Sequence, residues 1–446
     1  MKRKSRVTLL LTAALASFTV LSACGNNNEG NSASPTATSA ASQASSQSAS
    51  PQASKEKVTL KMAIWDSNND FLTYLEDKVK EYASVDPNVN VELETFKSDG
   101  DYLQAMKVRA TGNELPDIMG LKPNWLSDFK EQLIPLDGEA FVGKNKYAGK
   151  YAIDGKVLAV PTTSFPELVY YHPSIFQELN LQVPSTWPQL IDVLTKIKTN
   201  SKYIPYAMGG KDAWPNYPFN EFLPQIVSGS ESYLSDIAKD DQPFSDGKPF
   251  SKAYKQIEQL YSSDVMGPDP LGIGWDQATD LFTSKQAAVI AAGLWFAPTY
   301  ESKVGNIDDL AAFPMPYRES ENEPLKLMMF TDHFYGITSG SEHQDEAKAF
   351  LNWFYSPEVY QTYIDAQKLV STVEGVESNV PFLKQFYASN KNEVFTYIPG
   401  DAEYTRISNA IQLDVKAIGQ DMIAGTKVDD ILPDLNEKWT KAKAAK

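Results

Sequence analysis

Strand and helix periodicities alternate through the first segment of the chain that has core-forming composition. Residues 58–65 (VTLKMAIW) and 88–96 (NVNVELETF) alternate apolar and polar positions, and residues 116–121 (PDIMGL) form a third, short apolar run. Helical spacing follows in residues 69–87 and 100–113. The first of these segments begins at a capping Asn or Asp and ends at a proline, and a glycine at position 112 stops the second helix. This β-α-β-α-β order predicts the start of a doubly wound α/β sheet, in which ligands bind beyond the carboxyl ends of the strands.

The later part of the chain continues the mixed pattern. Residues 156–176 predict two apolar strands broken by Pro161 and Pro166, and a helix follows that Ser185 or Thr186 caps. The remaining predicted elements are a strand in 203–210, a helix, turn and strand over 275–295, and either a helix pair or one bent helix over 342–364.

The first 23 residues read as an export signal. Lys2, Arg3, Lys4 and Arg6 precede an apolar stretch that is too short for a membrane span. Cys24, the single cysteine, directly follows Leu-Ser-Ala, and this segment resembles the lipobox of bacterial lipoproteins. The resemblance implies a diacylated Cys24, which supplies the two chains that stable anchoring needs. An ordinary secretory signal with an unmodified cysteine is the alternative.

Residues 24–57 are rich in Ser, Ala, Gln, Thr and Asn and hold almost no apolar side chains. Such a segment cannot bury enough surface to offset the entropy of ordering, so we predict a disordered tether. The remaining residues, 58–446, are long enough for two or more domains.

The composition excludes several classes of function. The 446 residues carry a formal net charge of −16, and removing the basic signal makes the chain more acidic. This charge argues against nucleic acid and against a basic membrane-binding patch as partners. Because Cys24 is the only cysteine, the body holds no disulfide, and three scattered histidines give no ligand spacing for a metal. We therefore expect no cofactor and no metal site.

Four motifs follow one another along the chain. They are LKMAIW with VDPNVNVELE, MKVRATGNELPDIMGL, LAVPTTSFPELVYYHPSIFQELNLQVPSTWPQL, and LFTSKQAAVIAAGLW followed by AFPMP and SEHQDEAKAFLNWFYSPE. In this order they resemble the extracellular solute-binding proteins of bacterial ABC importers, in the carbohydrate-binding group related to maltose-binding protein. The resemblance spans most of residues 58–370. His172, Asn180 and Ser284 depart from the residues that are usual in the family.

The resemblance implies a two-lobed, type II periplasmic-binding-protein fold with a ligand cleft between the lobes and a hinge of several strands. By analogy, residues 58–164 and 310–368 form lobe 1, and residues 165–309 and 369–446 form lobe 2. The chain is expected to cross between the lobes near 163–166, 307–311 and 368–371. We expect a monomer that is lipid-anchored on the outer face of the cell membrane.

Sugar recognition needs flat aromatic faces and planar polar groups, so candidate ligand contacts are aromatic and polar residues at strand ends and in loops. The resemblance adds weight to Trp295, which matches a family tryptophan, and to Phe165 at the hinge. Asp332 and His333 interrupt an apolar run, which favours a polar cleft or a hydrogen-bonded turn over plain core. The full set of predicted contacts is Trp65, Asp66, Asn124, Trp125, Phe165, Trp214, Trp275, Trp295, Asp332, His333 and Tyr404.

The implied function is capture of a carbohydrate, favoured to be a neutral oligosaccharide, and its delivery to the transmembrane subunits of an ABC permease. A secreted carbohydrate-active enzyme is one alternative, although the chain lacks the G-x-S-x-G, H-E-x-x-H and Walker A motifs. A surface sensor or adhesion lipoprotein with the same fold is the other.

Overall fold

The computed structural model describes residues 57–66, 69–378 and 392–445. The predicted signal, Cys24 and nearly all of the predicted tether lie outside the described residues. No helix of the described part is long and apolar enough to cross a membrane.

Ten strands are described. They are β1 (Val58–Trp65), β2 (Val89–Phe96), β3 (Ile118–Leu121), β4 (Val160–Tyr171), β5 (Ile204–Tyr206), β6 (Ala287–Gly293), β7 (Ala311–Pro314), β8 (Lys326–Ile337), β9 (Val370–Ser371) and β10 (Glu393–Thr396).

Sixteen helices accompany these strands in the described residues. They are α1 (Asn69–Glu81), α2 (Asp99–Gly112), α3 (Ala140–Gly143), α4 (Pro173–Glu178), α5 (Trp187–Asn200), α6 (Tyr217–Asn220), α7 (Leu223–Ser228), α8 (Tyr233–Ile237), α9 (Pro249–Tyr261), α10 (Trp275–Thr283), α11 (Phe296–Val304), α12 (Gln344–Phe354), α13 (Pro357–Gln367), α14 (Ala402–Ala410), α15 (Val415–Ile423) and α16 (Val428–Ala444).

The strands join in the order β2-β1-β3-β8-β4-β6-β5, with β10 paired to β8 and with β7 and β9 paired to β4. The pairs β1 with β2, β1 with β3, and β5 with β6 are parallel, whereas β4 and β8 run antiparallel to each other. The predicted mixed α/β class and the opening β-α-β-α-β order are therefore confirmed.

Two long strands connect two halves of the sheet. The first part of β4 pairs with β8, and its last five residues, 167–171, pair with β6 and β7. The last residues of β8 pair with β3, and its first residues pair with β10. We call the β1–β3 side the first half and the β5–β7 side the second half. The lobe boundaries given above stay predictions, because β4 and β8 belong to both halves.

Each half has its own hydrophobic core. In the first half, Phe71, Leu75, Val79 and Tyr82 are each at most 3 % exposed, as their helical spacing predicts. Each aliphatic or phenyl side chain buried in this way contributes about 1.5–3 kcal/mol. In the second half, Trp187, Phe219, Tyr254 and Trp439 belong to a separate buried cluster.

The prediction of two strands broken at Pro161 and Pro166 is wrong, because β4 is continuous through both prolines. Among the described strands, only β8 pairs with β4 at these two prolines, so the other edge of β4 is unpaired there. A proline, which has no N–H to donate, is tolerated where a strand has an unpaired edge. Elsewhere the structure settles open alternatives. Thr186 caps α5 by accepting from the Gln189 N–H, and α12 and α13 are two separate helices.

Candidate functional site

A cavity of about 390 Å³ lies between the two halves of the sheet. Its size is within the range of small-molecule sites. Ten of the eleven residues predicted as ligand contacts line it, and these are Trp65, Asp66, Asn124, Trp125, Phe165, Trp214, Trp275, Trp295, Asp332 and His333. Their contact with a ligand stays a prediction.

Tyr404 is the predicted residue that does not line this cavity. It lies on α14 and is half-buried, with its ring centroid 6.0 Å from that of Trp439. Its environment is a helix-packing one, and it gives no support for a role in ligand contact.

Three rings from the first half, Trp65, Trp125 and His333, form what we call the first wall. Trp65 ends β1, and its ring centroid lies 4.9 Å from that of Trp125 and 4.8 Å from the stacked imidazole of His333. Both indoles are only 6 % exposed, so they present little ring surface to the cavity. Asn124 precedes Trp125 in a turn after β3 and is exposed.

An ammonium group of the protein itself lies against the first wall. The Lys122 Nζ is 5.7 Å from the ring centroids of both Trp65 and Trp125, a cation–π arrangement. It also forms a 2.6 Å ion pair with Asp99. Burial opposes the charge of Lys122, but Asp99, Asp332 and Glu221 outweigh it and hold the pKa of the lysine above its usual value.

Three tryptophans from the second half, Trp214, Trp275 and Trp295, form the second wall. Their ring centroids are 4.8 Å apart for Trp214 and Trp275, 5.5 Å for Trp275 and Trp295, and 6.0 Å for Trp214 and Trp295. All three are partly exposed. Trp214 opens a 3-10 turn, Trp275 begins α10, and Trp295 immediately precedes α11, so each ring is held at the end of an element.

Two glycines allow tryptophans of the second wall to pack directly against the backbone. A Cβ at Gly209 would lie 2.8 Å from the Trp275 Cα, and one at Gly293 would lie 2.4 Å from the Trp295 Nε1. The Trp275 N–H also donates to the Asp212 carboxylate at 2.6 Å, which ties α10 to the loop that carries Trp214. Only glycine leaves room for these contacts.

The hinge strands β4 and β8 contribute residues between the two walls. Phe165 pairs with Phe330 across these strands, with ring centroids 5.5 Å apart. His333 has a positive φ of 50°, and its N–H donates to the Asp332 carboxylate at 2.9 Å. The His333 Nε2 is 3.9 Å from the Asp66 carboxylate. Asp332 and His333 thus form a local hydrogen-bonded pair within strand β8, and both line the cavity.

Several residues outside the predicted set of contacts also line the cavity. Tyr217 follows Trp214 in the same loop, which is a signal that could have revealed it. Glu221 and Lys416 form a 3.5 Å ion pair between two helical regions far apart in the chain, and no local pattern predicts such a pair. The others are Lys97, Ser98, Asp99, Lys122, Thr163, Asp212, Asp276, Thr299, Phe330, Gln367 and Leu369.

Two of the three lysines that line the cavity form ion pairs with carboxylates. Lys122 pairs with Asp99, and Lys416 pairs with Glu221. Burial raises the pKa of Asp99, but Lys122 and Lys416 lower it more, so that carboxyl titrates below its usual range. Within the residues that the structure describes, no group of three or more His, Cys, Asp or Glu is placed to hold a metal ion.

Two relatives align with most of the sequence of this chain. A multiple sugar-binding protein of Streptococcus mutans is 23 % identical over 335 residues, which cover 73 % of this chain and 77 % of the relative. An uncharacterized ABC transporter extracellular-binding protein of Pyrococcus horikoshii is 21 % identical over 76 % of this chain and 75 % of its own length.

Solved structures share the fold. Raffinose-bound RafE, a protein known from Streptococcus pneumoniae, has a TM-score of 0.72 at 20 % identity and covers 87 % of this chain and 100 % of its own. A mannobiose-bound ABC transporter binding protein of Bifidobacterium animalis subsp. lactis has a TM-score of 0.74 at 18 % identity, covering 87 % of this chain and 95 % of that one. These neighbours are two-lobed proteins of the maltose-binding type.

The sequence profile described as bacterial extracellular solute-binding protein matches residues 65–361, which is more than half of the chain. The match begins at Trp65 of the first wall and includes the whole second wall. This chain therefore belongs to the family of bacterial extracellular solute-binding proteins.

Proposed function

We propose that this protein is the substrate-binding lipoprotein of an ABC importer and that it captures a neutral oligosaccharide in the cleft between its two halves. The observation that carries the proposal is the pair of aromatic walls facing one cavity of about 390 Å³. Indole faces stack on the apolar faces of sugar rings. Carboxylates between the two walls accept hydrogen bonds from hydroxyl groups, and amides both accept and donate them.

A neutral ligand suits the charges of the cavity. Two of the three lysines that line the cavity, Lys122 and Lys416, are already paired with Asp99 and Glu221. The third, Lys97, donates to the amide oxygen of Asn69. Asp66, Asp212, Asp276 and Asp332 also line the cavity and would repel a carboxylate or phosphate on the sugar, which disfavours an acidic sugar.

The ligands of similar proteins support a carbohydrate as the ligand class. These proteins include the multiple sugar-binding protein of Streptococcus mutans and structures bound to raffinose, mannobiose, mannotriose and stachyose. A ligand that contacts both walls stabilises the arrangement in which the two halves are close, since it shifts the equilibrium by its difference in affinity for the two states.

Anchoring through Cys24 would hold the loaded protein close to its permease. A flexible tether behind two acyl chains confines the body to a thin layer at the membrane and raises its effective concentration there. Mass spectrometry of the membrane-extracted protein tests this part, because a diacylated Cys24 is expected at the amino terminus. An unmodified cysteine would remove the anchor from the proposal.

A thermal-shift screen tests the proposed ligand class. The panel contains raffinose, stachyose, mannobiose, mannotriose, a chitin oligosaccharide and a galacturonate trimer. We expect at least one neutral oligosaccharide to raise Tm and the galacturonate trimer to leave it unchanged. Assay of reducing ends in the same samples separates binding from hydrolysis, and newly formed ends would favour the enzyme alternative. A chain that no sugar stabilises would contradict the proposal.

A further inference from the structure

Glu167 is a buried acid next to the cleft that has no role in the contacts proposed so far. It lies in β4, two residues after Phe165 and therefore on the same face of the strand, and it is 1 % exposed. One carboxyl oxygen, Oε2, accepts a hydrogen bond from the Tyr217 hydroxyl. The other, Oε1, has no partner among the described residues.

The groups that face this carboxyl are tyrosines from several elements. Besides Tyr217, its charge reaches Tyr170 on β4, Tyr206 on β5 and Tyr317 after β7. In the described part of the chain no lysine, arginine or histidine forms an ion pair with it. Burial raises the pKa of Glu167 well above its usual value, more than the bond from Tyr217 lowers it.

Glu167 reaches the second wall by two routes. Tyr217 lines the cavity, and its ring stacks on Trp214 with centroids 6.2 Å apart and planes 26° apart. The backbone of Glu167 also pairs with Gly293, against which the Trp295 indole packs. The buried acid therefore contacts residues next to the second wall without itself lining the cavity.

Packing alone gives no reason for an acid at this position. A buried polar group with an unpartnered oxygen costs stability, and an apolar side chain of similar volume would fill the same space. What Glu167 supplies that a leucine cannot is an acceptor for the Tyr217 hydroxyl.

We propose that Glu167 is a positioning residue for ligand binding: its hydrogen bond to Tyr217 holds the Tyr217 and Trp214 rings in the orientation that receives the sugar. The expected change in sugar affinity rests on the proposed function, because it requires that the protein binds a sugar. The orientation of the rings themselves is a property of the free protein and is tested without a ligand.

The first experiment uses the ligand-free protein. Tryptophan emission and its quenching by acrylamide are compared in wild type, Glu167→Leu, Tyr217→Phe and Glu167→Gln. Tyr355→Phe is the matched control, because it removes a buried tyrosine hydroxyl that donates to the Val160 carbonyl in the first half. We expect Glu167→Leu and Tyr217→Phe to change emission and increase quenching alike. Glu167→Gln keeps the acceptor and restores the wild-type signal, and Tyr355→Phe matches wild type.

The second experiment is calorimetric titration of the same variants with raffinose and with mannotriose. Losing one hydrogen bond that orients a wall lowers affinity about tenfold. We expect this loss in Glu167→Leu and a loss at least as large in Tyr217→Phe, because the Tyr217 hydroxyl also bonds the Gly293 backbone. The double variant is expected to lose no more affinity than Tyr217→Phe alone, since the bond to Glu167 is already absent there. Glu167→Gln is expected within about twofold of wild type.

The two experiments separate the two proposals. If neither sugar binds wild type, the sugar proposal fails for these probes, and the quenching result still decides the positioning. Unchanged emission and quenching in Tyr217→Phe would overturn the positioning whatever the titrations give, and so would losses that add in the double variant. Should Glu167→Leu fail to fold, Tyr217→Phe and Glu167→Gln carry the test alone.

Discussion

The two walls of the cleft are both aromatic, but they are built differently. In the first wall, Trp65 and Trp125 are 6 % exposed and lie within cation–π distance of Lys122. In the second wall, Trp214, Trp275 and Trp295 are partly exposed and contact one another at the ends of short elements. The first wall is part of a core, whereas the second presents ring surface to the cavity.

This difference assigns separate tasks to the two walls. The second wall offers apolar ring faces, on which a sugar can stack. Around the first wall, Asp66, Asn124 and Asp332 offer carboxylates and an amide to hydroxyl groups. A ligand that needs both kinds of contact is satisfied only when it touches both halves, and this couples binding to closure.

The largest expected effect on sugar affinity is that of replacing Trp295. Trp295→Ala removes a partly exposed ring of the second wall, and loss of a tryptophan at the centre of a binding site typically costs 2 kcal/mol or more, about 30-fold in affinity. We expect calorimetric titration with the tightest sugar of the panel to show this loss, with Tm near that of wild type. Unchanged affinity in a folded variant would remove Trp295 from the site.

The matched variant in the first wall is expected to behave in the opposite way. Trp125→Ala deletes a buried ring, so it destabilises the fold by about 3–5 kcal/mol, measured by chemical denaturation. If Trp125→Ala left stability intact and abolished sugar binding, the contrast between the walls would be wrong.

Gly293 provides a second, smaller test of the second wall. In Gly293→Ala the added Cβ would lie 2.4 Å from the Trp295 Nε1 and 2.5 Å from the Phe165 ring, so both rings must move. We expect affinity to fall about tenfold, a shift of about 1.4 kcal/mol. Gly149→Ala is the control, because a Cβ there meets nothing within 4 Å. Equal affinities in the two variants would show that the Trp295 position does not matter.

The smallest effect concerns the ion pair of the first wall. Lys122 and Lys416 keep the pKa of Asp99 below its usual value despite burial, so the stability that this provides is present above pH ~4 and is lost as pH falls through the lowered pKa. In Lys122→Met most of this stabilisation disappears. We expect the free energy of unfolding to fall by at most about 1 kcal/mol near pH 7, since the ion pair is partly exposed.

Denaturation of Lys122→Met between pH 3 and 8 measures that loss. The difference from wild type should shrink as pH falls below 4, because Asp99 is then protonated in both proteins. Lys97→Met serves as the comparison, since Lys97 also lines the cavity but is exposed and donates to Asn69. A pH-independent difference would mean that lost packing, rather than the ion pair, explains the effect.

Local sequence was sufficient for the features that depend on neighbours in the chain. The alternation in residues 58–65 predicted β1, and the rule that ligands bind at strand ends placed Trp65 and Trp125 at the cavity. The Gly- and Pro-rich loops around Trp214 and Trp275 marked those rings as unlikely core residues for the same local reason. What local pattern did not predict was that the first-wall rings are buried.

Features that depend on partners distant in sequence were missed or misread. Nothing near Glu221 indicates its ion pair with Lys416, and nothing near Glu167 indicates its bond to Tyr217. Pro161 and Pro166 were interpreted as strand breaks. A proline is tolerated in a strand with an unpaired edge, and the pairing of β4 with the sequence-distant β8 decides which edge that is. Tyr404 looked like an extra contact, but α14 holds it against Trp439.

The decisive experiment is a crystal structure of the protein with the tightest sugar of the panel. We expect a sugar ring stacked on the second wall, at Trp295, with its hydroxyl groups hydrogen-bonded to residues of the first half such as Asp66 or Asn124. A sugar bound outside the cavity, or one that contacts only one half of the molecule, would contradict this expectation.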